Sequence, residues 1–126
     1  MSKSIKIDTQ LNTPIFQQIV EAVESQILSE SLKEGDFLLS VRELAVQIET
    51  NPNTIVKAYK VLQNRELVES VRGKGLQVRP INKVKSDKRK QQIIMEKVQE
   101  LIAVAKGLEI PKKELNSLIK EEMKNE

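Results

Sequence analysis

The sequence predicts a mainly α-helical chain with a small β-wing: a winged helix-turn-helix in residues 1–80 and a helical hairpin in residues 81–126. Three observations carry this. Residues 40–48 and 51–64 form two short amphipathic stretches, each with its own start signal, that meet at a tight junction. Two short alternating runs, 67–71 and 76–79, flank a basic tip containing glycine. A heptad-spaced apolar series from Ile94 to Leu108 is followed by one more amphipathic stretch.

At the N-terminus Ile5 and Ile7 alternate with lysines, which suits a short strand, and Asp8–Thr13 is a connector. Pro14 starts a helix that runs to about Ser29, because Ile15, Phe16, Ile19, Val20, Val23 and Ile27 form one apolar stripe at helical spacing. Ser31–Leu39 is a loop containing Gly35-Asp36.

Ser40 stands before the next apolar-periodic run, and Glu43 lies three residues on. The hydroxyl can accept from an orphan N–H of the first turn while the carboxylate reaches back to the Ser40 amide, a capping box. Asn51-Pro52 repeats the logic for the following helix. Asn51 caps, and Pro52 takes the first helical position, where its missing N–H leaves no bond unmade. Ile48-Glu49-Thr50 leaves space for only a short turn.

At about 100° per residue, Ile55, Ala58, Tyr59 and Leu62 fall on one side of the second helix. Asn53, Val56, Lys57, Lys60 and Asn64 fall on the other, with Thr54 on the flank. One side suits a core. The other is either a solvated face or, as the second helix of a helix-turn-helix, a face for a DNA groove.

Leu67–Val71 and Leu76–Arg79 alternate and carry β-branched residues, so they read as strands. Between them lies Arg72-Gly73-Lys74-Gly75, in which glycine permits a positive φ and close backbone approach. Alone, such a tip is also an ordinary hairpin turn with solubilising charges. Its position after two capped helices completes the order helix, turn, helix, wing, the layout of a DNA-binding winged helix.

Pro80–Lys85 reads as a linker and Ser86 as the cap of a long helix to about Lys106, with Gly107 as its C-cap. Ile94, Val98, Leu101, Ala105 and Leu108 are spaced four, three, four and three, a heptad seam. Ile93, Ile102 and Val104 lie outside it, so the helix has more than one apolar face. Pro111 opens a last helix with Leu115, Leu118, Ile119 and Met123 on one side. Two helices joined by a short turn cannot bury that much aliphatic surface alone. The hairpin either packs on its own domain or meets a second copy, and the seam favours a homodimer.

These residues resemble the GntR family of bacterial transcription regulators. The resemblance rests on Pro14-Ile15-Phe16-Gln17-Gln18-Ile19, Gly35-Asp36, Ser40-Val41-Arg42-Glu43-Leu44-Ala45, Asn51-Pro52-Asn53-Thr54 with Lys57-Ala58-Tyr59, and Arg72-Gly73-Lys74-Gly75. It spans roughly the first 80 residues, and the short tail is similar to the YtrA-type branch, whose C-terminal part is a small helical dimerisation unit. The resemblance implies DNA contacts from Arg42, Asn53 and Thr54 and a minor-groove approach at Gly73. The sequence departs from the family pattern at Leu39, where proline is common, and at Glu49 and Glu66, where glycine is usual. A left-handed Glu49 would carry strain of about 1 kcal/mol.

Composition narrows the function classes. The only aromatic residues are Phe16, Phe37 and Tyr59, so the core must be aliphatic, and so few argue against a single-strand binder that stacks bases on aromatic rings. With no cysteine and no histidine there is no disulfide, no thiolate or imidazole metal ligand, and no nucleophile–histidine pair. No cofactor is expected. Neither a paired-carboxylate site nor a phosphate loop appears, and the chain reads as a non-enzyme. No apolar run reaches the ~18 residues of a membrane span, and the first residues lack the apolar segment of a signal peptide. A cytoplasmic protein is expected.

Net charge is +3, unevenly placed. Residues 1–80 hold ten bases and ten acids, with acids ahead of the capped helices and bases from Arg42 to Arg79. A neutral domain with one basic side can still bind phosphate. Lys83, Lys85, Lys88, Arg89 and Lys90 lie near only Asp87; they either touch phosphates flanking a site or form a solvated first turn.

The expectation is a homodimeric repressor that binds double-stranded DNA at an inverted repeat. Its reading helix is 52–64 in the major groove, with 72–75 at the minor groove. The DNA-binding set is Ser40, Arg42, Asn51, Asn53, Thr54, Lys57, Arg72, Gly73 and Lys74. The dimerisation set is Ile94, Val98, Leu101, Ala105, Leu108, Leu115, Leu118 and Ile119. Repression rather than activation follows from the resemblance alone. The other reading is a winged-helix adaptor that docks protein, for which Lys57 and Arg72 would be dispensable and the seam would not. The 46 residues after Pro80 are too few for an enclosed effector pocket, which leaves a small-molecule effector the dimer interface or the junction of the two parts.

Overall fold

The computed structural model describes residues 5–126. It contains α1 (Ile15–Leu28), α2 (Val41–Gln47), α3 (Pro52–Asn64), β1 (Val68–Val71), β2 (Gly75–Val78), α4 (Lys83–Gly107) and α5 (Lys112–Lys124). Contacts divide the chain into a unit that ends at Lys83 and a unit Val84–Glu126.

The first unit is built on one aliphatic core. Ile19, Val20, Val23 and Ile27 of α1 meet Leu44 and Ala45 of α2, and Ile55, Ala58, Tyr59 and Leu62 of α3. Leu67, Val68 and Val78 close it from the hairpin. All four residues assigned to the inner side of α3 by angle are buried, three of them at 0% exposure. At roughly 1.5–3 kcal/mol per buried aliphatic side chain, this packing fixes the direction in which the other side of α3 faces.

β1 and β2 pair antiparallel, Val68 opposite Val78 and Val71 opposite Gly75. The α1–α2 connector, predicted as loop, runs along the outer edge of β2. The Leu38 N–H donates to the Leu76 carbonyl at 2.9 Å and the Val78 N–H to the Asp36 carbonyl at 2.8 Å, and Phe37 bridges Gln77. That covers an edge that would otherwise present unpaired backbone groups.

The short strand at Ile5 and Ile7 does not form among the described residues; Ser4 and the residues before it lie outside them. Both isoleucines instead pack, half-buried, against the core. Side-chain bonds replace a ladder there. Buried Gln18 donates to the carbonyls of Asp8 and Thr13, at 3.0 and 2.9 Å, and accepts from the Asp8 N–H at 2.9 Å. A second tie joins α1 to the end of α3: Arg65 donates to the buried Glu24 carboxylate at 2.9 Å.

Helices α1 to α4 are each followed by a glutamate in the left-handed region: Glu30, Glu49, Glu66 and Glu109, with φ of 64°, 51°, 59° and 59°. After α2, α3 and α4 the bonds are those of a Schellman motif. Thr50 N–H reaches the Ala45 carbonyl, Leu67 N–H the Leu62 carbonyl and Ile110 N–H the Ala105 carbonyl, at 3.0, 3.1 and 2.9 Å. The strain anticipated at Glu49 is therefore present and recurs along the chain. Glu66→Gly is expected to raise stability by roughly 0.5–1 kcal/mol, the left-handed penalty less the chain entropy of glycine. The check is a higher urea midpoint at unchanged m.

Two sequence expectations in the second unit need correction. Helix α4 starts at Lys83, so Ser86 lies inside its first turns, buried, and does not cap it. Nothing in Lys83–Lys85 interrupts helix propagation, which shortens the linker. Gly107 is the last helical residue rather than the left-handed stop, and Glu109 takes that conformation. Pro111 stands just outside α5 as its N-cap.

Candidate nucleic-acid interface

The capping box at Ser40 forms as read from the sequence. The Glu43 N–H donates to the Ser40 hydroxyl at 3.1 Å, and the Ser40 N–H donates to Glu43 Oε1 at 3.0 Å. These bonds to Ser40 hold the Glu43 carboxyl below its usual pKa. The Ser40 hydroxyl, used as an acceptor, still has its own proton to donate. One position into α2 stands Arg42, exposed and without an ion-pair partner among the described residues.

At α3, Asn51 Oδ1 accepts from the Asn53 N–H at 2.8 Å, and Pro52 opens the helix. Asn51 and Asn53 are exposed and Thr54 is half-buried. Between the two helices, Glu49 supplies the turn and the Thr50 hydroxyl donates to the Ile48 carbonyl at 3.2 Å. The Tyr59 hydroxyl donates to the Leu39 carbonyl at 2.7 Å, tying α3 to the residue before the α2 cap. Burial, and then the negative Glu43, push the Tyr59 hydroxyl well above its ordinary pKa, so it stays a donor.

The hairpin tip is a tight turn in which the Lys74 N–H donates to the Val71 carbonyl at 2.9 Å. Gly73 sits at φ 75°, the positive value that the third residue of a type II turn requires. A Cβ at Gly73 would meet nothing within 4 Å, so space is open and only the backbone conformation selects glycine. Arg72 and Lys74 are exposed on either side of it, and neither has an ion-pair partner among the described residues.

The structure thus gathers Ser40, Arg42, Asn51, Asn53 and Thr54 at the first turns of two packed helices, with Lys57 one turn along α3. It sets Arg72, Gly73 and Lys74 at the tip of a hairpin of the same unit. One relation was not legible from the sequence: the Lys57 ammonium lies 4.0 Å from the centroid of the Phe16 ring of α1. The two residues are distant in the chain, and no local signal joins them. Two valines were also undervalued, since Val46 of α2 and Val56 of α3 face outward at 79% and 38% exposure.

Residues 15–78 match the pattern that defines the bacterial regulatory proteins of the gntR family. The chain belongs to the GntR family. This GntR protein is 38% identical over 117 residues to the HTH-type transcriptional repressor YtrA of Bacillus subtilis (strain 168), covering 93% of this chain and 90% of that one. A GntR family transcriptional regulator from Listeria monocytogenes shares its fold at TM-score 0.75 and 32% identity, over 91% of this chain and 98% of that one. YtrA from Sulfolobus acidocaldarius, a GntR-family transcription factor, gives 0.59 and 30%, over 76% and 97%.

Membership in the GntR family makes the first unit a DNA-binding winged helix and the protein a transcription regulator, in a family of regulators rather than enzymes. Among the described residues no cluster of His, Cys, Asp and Glu is arranged to hold a metal, and no helix is long and apolar enough to cross a membrane.

In the second unit Ile94, Val98, Leu101, Leu108, Leu118 and Ile119 are exposed, and Leu115 is half-buried. Ala105 differs from the rest of the dimerisation set. It is already buried within the chain, and its carbonyl accepts the Ile110 N–H in the turn between α4 and α5.

Proposed function

We propose that the protein is a homodimeric, cytoplasmic repressor that binds duplex DNA at an inverted repeat, residues 1–80 reading the DNA and residues 81–126 pairing the two copies. The observation that carries the reading is the division of α3. Its inner side fills the core, and its outer side presents Asn53, Val56, Lys57 and Lys60 at one exposed surface. An exposed face on the second helix of a helix-turn-helix suits the major groove. Asn53 and Thr54 contact bases or phosphates from its first turn, and Arg42 does so from the start of α2. Ser40 donates to a phosphate. Arg72 and Gly73 work at the adjacent minor groove, where Gly73 lets backbone approach, and Lys74 takes a phosphate.

The exposed aliphatic residues of α4 and α5 support self-association, since apolar patches of this kind mark interaction surfaces. Two-fold pairing places two reading helices on two half-sites. Repression is carried over from the B. subtilis relative, whose name states it.

Two substitutions separate base reading from phosphate binding. Arg42→Ala is expected to cost about 1–3 kcal/mol on the specific site and to relax one base position. Lys74→Ala is expected to weaken specific and random duplexes alike and to lower the salt slope by about 0.9. Titrations of both variants on both duplexes decide it. Equal losses for Arg42→Ala on the two duplexes would remove its base-reading role.

A further inference from the structure

We infer that Phe16 is a positioning residue for DNA binding. It holds the Lys57 ammonium on the α1 side of the reading helix, which commits Lys57 to the DNA backbone rather than to a base. The inference rests on the proposed docking of α3 in the major groove.

Lysine is a compact cation on a flexible four-carbon stem, and on an open helix face its ammonium would sweep both the groove floor and the groove wall. Here the ring biases it to one side, because the ammonium lies 4.0 Å from the Phe16 centroid, within the range in which a ring's negative face attracts a cation. Phe16 is itself fixed, half-buried against the core by the α1 stripe. The direction matters. Measured about the helix axis, the core side of α3 is defined by Ile55, Ala58, Tyr59 and Leu62. Opposite that core, Asn53 and Asn64 point most nearly outward, and Lys57 and Lys60 lie about 30° to either side of them, Lys57 on the side of Thr54.

The ring therefore draws the cation off the axis along which side chains meet base edges and toward the helix it belongs to. With α3 in a groove, what borders that flank is sugar and phosphate. A pinned cation there strengthens binding without reading sequence, and it enters the complex with its rotamers already limited.

The test compares Phe16→Leu, Phe16→Tyr, Lys57→Ala and Phe16→Leu/Lys57→Ala in the full-length protein. Each is titrated on a site recovered by selection and on a scrambled duplex across a salt series. The ring-current shift of the Lys57 side-chain methylene protons is recorded for the free proteins. Lys57→Ala is expected to weaken both duplexes by the same factor and to lower the salt slope by about 0.9. Phe16→Leu should weaken both duplexes equally and abolish the methylene shift, and the double variant should bind no more weakly than Lys57→Ala. Phe16→Tyr, which keeps a π-face, should restore both the binding and the shift.

Losses that multiply in the double variant would overturn the inference and make Phe16 a packing residue only. So would a Lys57→Ala loss confined to the selected site, or wild-type binding by Phe16→Leu. Failure of the unaltered protein to bind any duplex would overturn the DNA-binding reading itself, and the inference with it. That outcome is distinguished by being visible before any substitution is made.

Discussion

Leu101→Glu combined with Leu118→Glu is expected to convert the protein to a monomer and to weaken binding to an inverted repeat by about 10²–10⁴-fold. Leu101 is 44% exposed and Leu118 53% exposed in the single chain, so neither supports the chain's own core. They are among the exposed aliphatic residues of the second unit, with Ile94 and Val98 of α4, Leu108 just beyond it and Ile119 of α5. Four glutamates, two from each copy, would be charges without partners buried at a two-fold interface, which such an interface does not tolerate. The loss of affinity follows from losing the second half-site, because linking two weak contacts makes the second one intramolecular. Sedimentation gives the oligomeric state, and titration on full and half sites gives the affinity. Affinity for a half-site should be unchanged, which separates lost pairing from a damaged winged helix. A double variant that remains dimeric would move the interface elsewhere.

The second large effect is on stability. Ile55→Ala is expected to destabilise the first unit by about 2–5 kcal/mol, the range for removing a fully buried aliphatic side chain. Ile55 is 0% exposed and lies in the first turns of α3 among Leu44, Ala58 and Leu62. The substitution leaves the outer side of α3 unaltered. A fall in the urea midpoint at unchanged m measures the effect. At temperatures where the variant remains folded, sequence preference should persist. A loss below about 1 kcal/mol would mean that the site collapses around the missing atoms and that α3 is less firmly held than its burial indicates.

The parts of the fold legible in the sequence are those governed by local chemistry. Ser40 with Glu43 and Asn51 with Pro52 fix the starts of α2 and α3, because a cap needs only the first turn that follows it. The inner side of α3 followed from helical period, since Ile55, Ala58, Tyr59 and Leu62 leave no second apolar face on that helix. The features missed depend on distant partners. Ile5 and Ile7 alternate like a strand, but the bonds that hold the neighbouring connector come from Gln18, and the isoleucines fill gaps in the core. Residues 36–38 look like loop because the edge of β2 that they pair with lies far along the chain.

Helix stops were harder to read than helix starts. Glycine is the usual marker of a left-handed stop, yet here glutamate occupies that conformation after α1, α2, α3 and α4, while Gly107 stays helical. Bonds made by the following residues impose these conformations, as Ile110 N–H to the Ala105 carbonyl does after α4. In the interface, the residue types and their order were legible, but the geometry of Lys57 was not. A lysine on an outward helical face carries no sign of the ring that will hold it.

The most direct test is selection of bound duplexes from a random DNA pool by the full-length protein at about 150 mM salt, where non-specific phosphate binding is weak. An inverted repeat with one fixed half-site spacing is the predicted result, and it would report sequence reading and two-fold pairing in a single measurement. Recovery of no motif, with binding that vanishes as salt rises, would contradict the proposed operator recognition and leave only a weak electrostatic attraction to DNA.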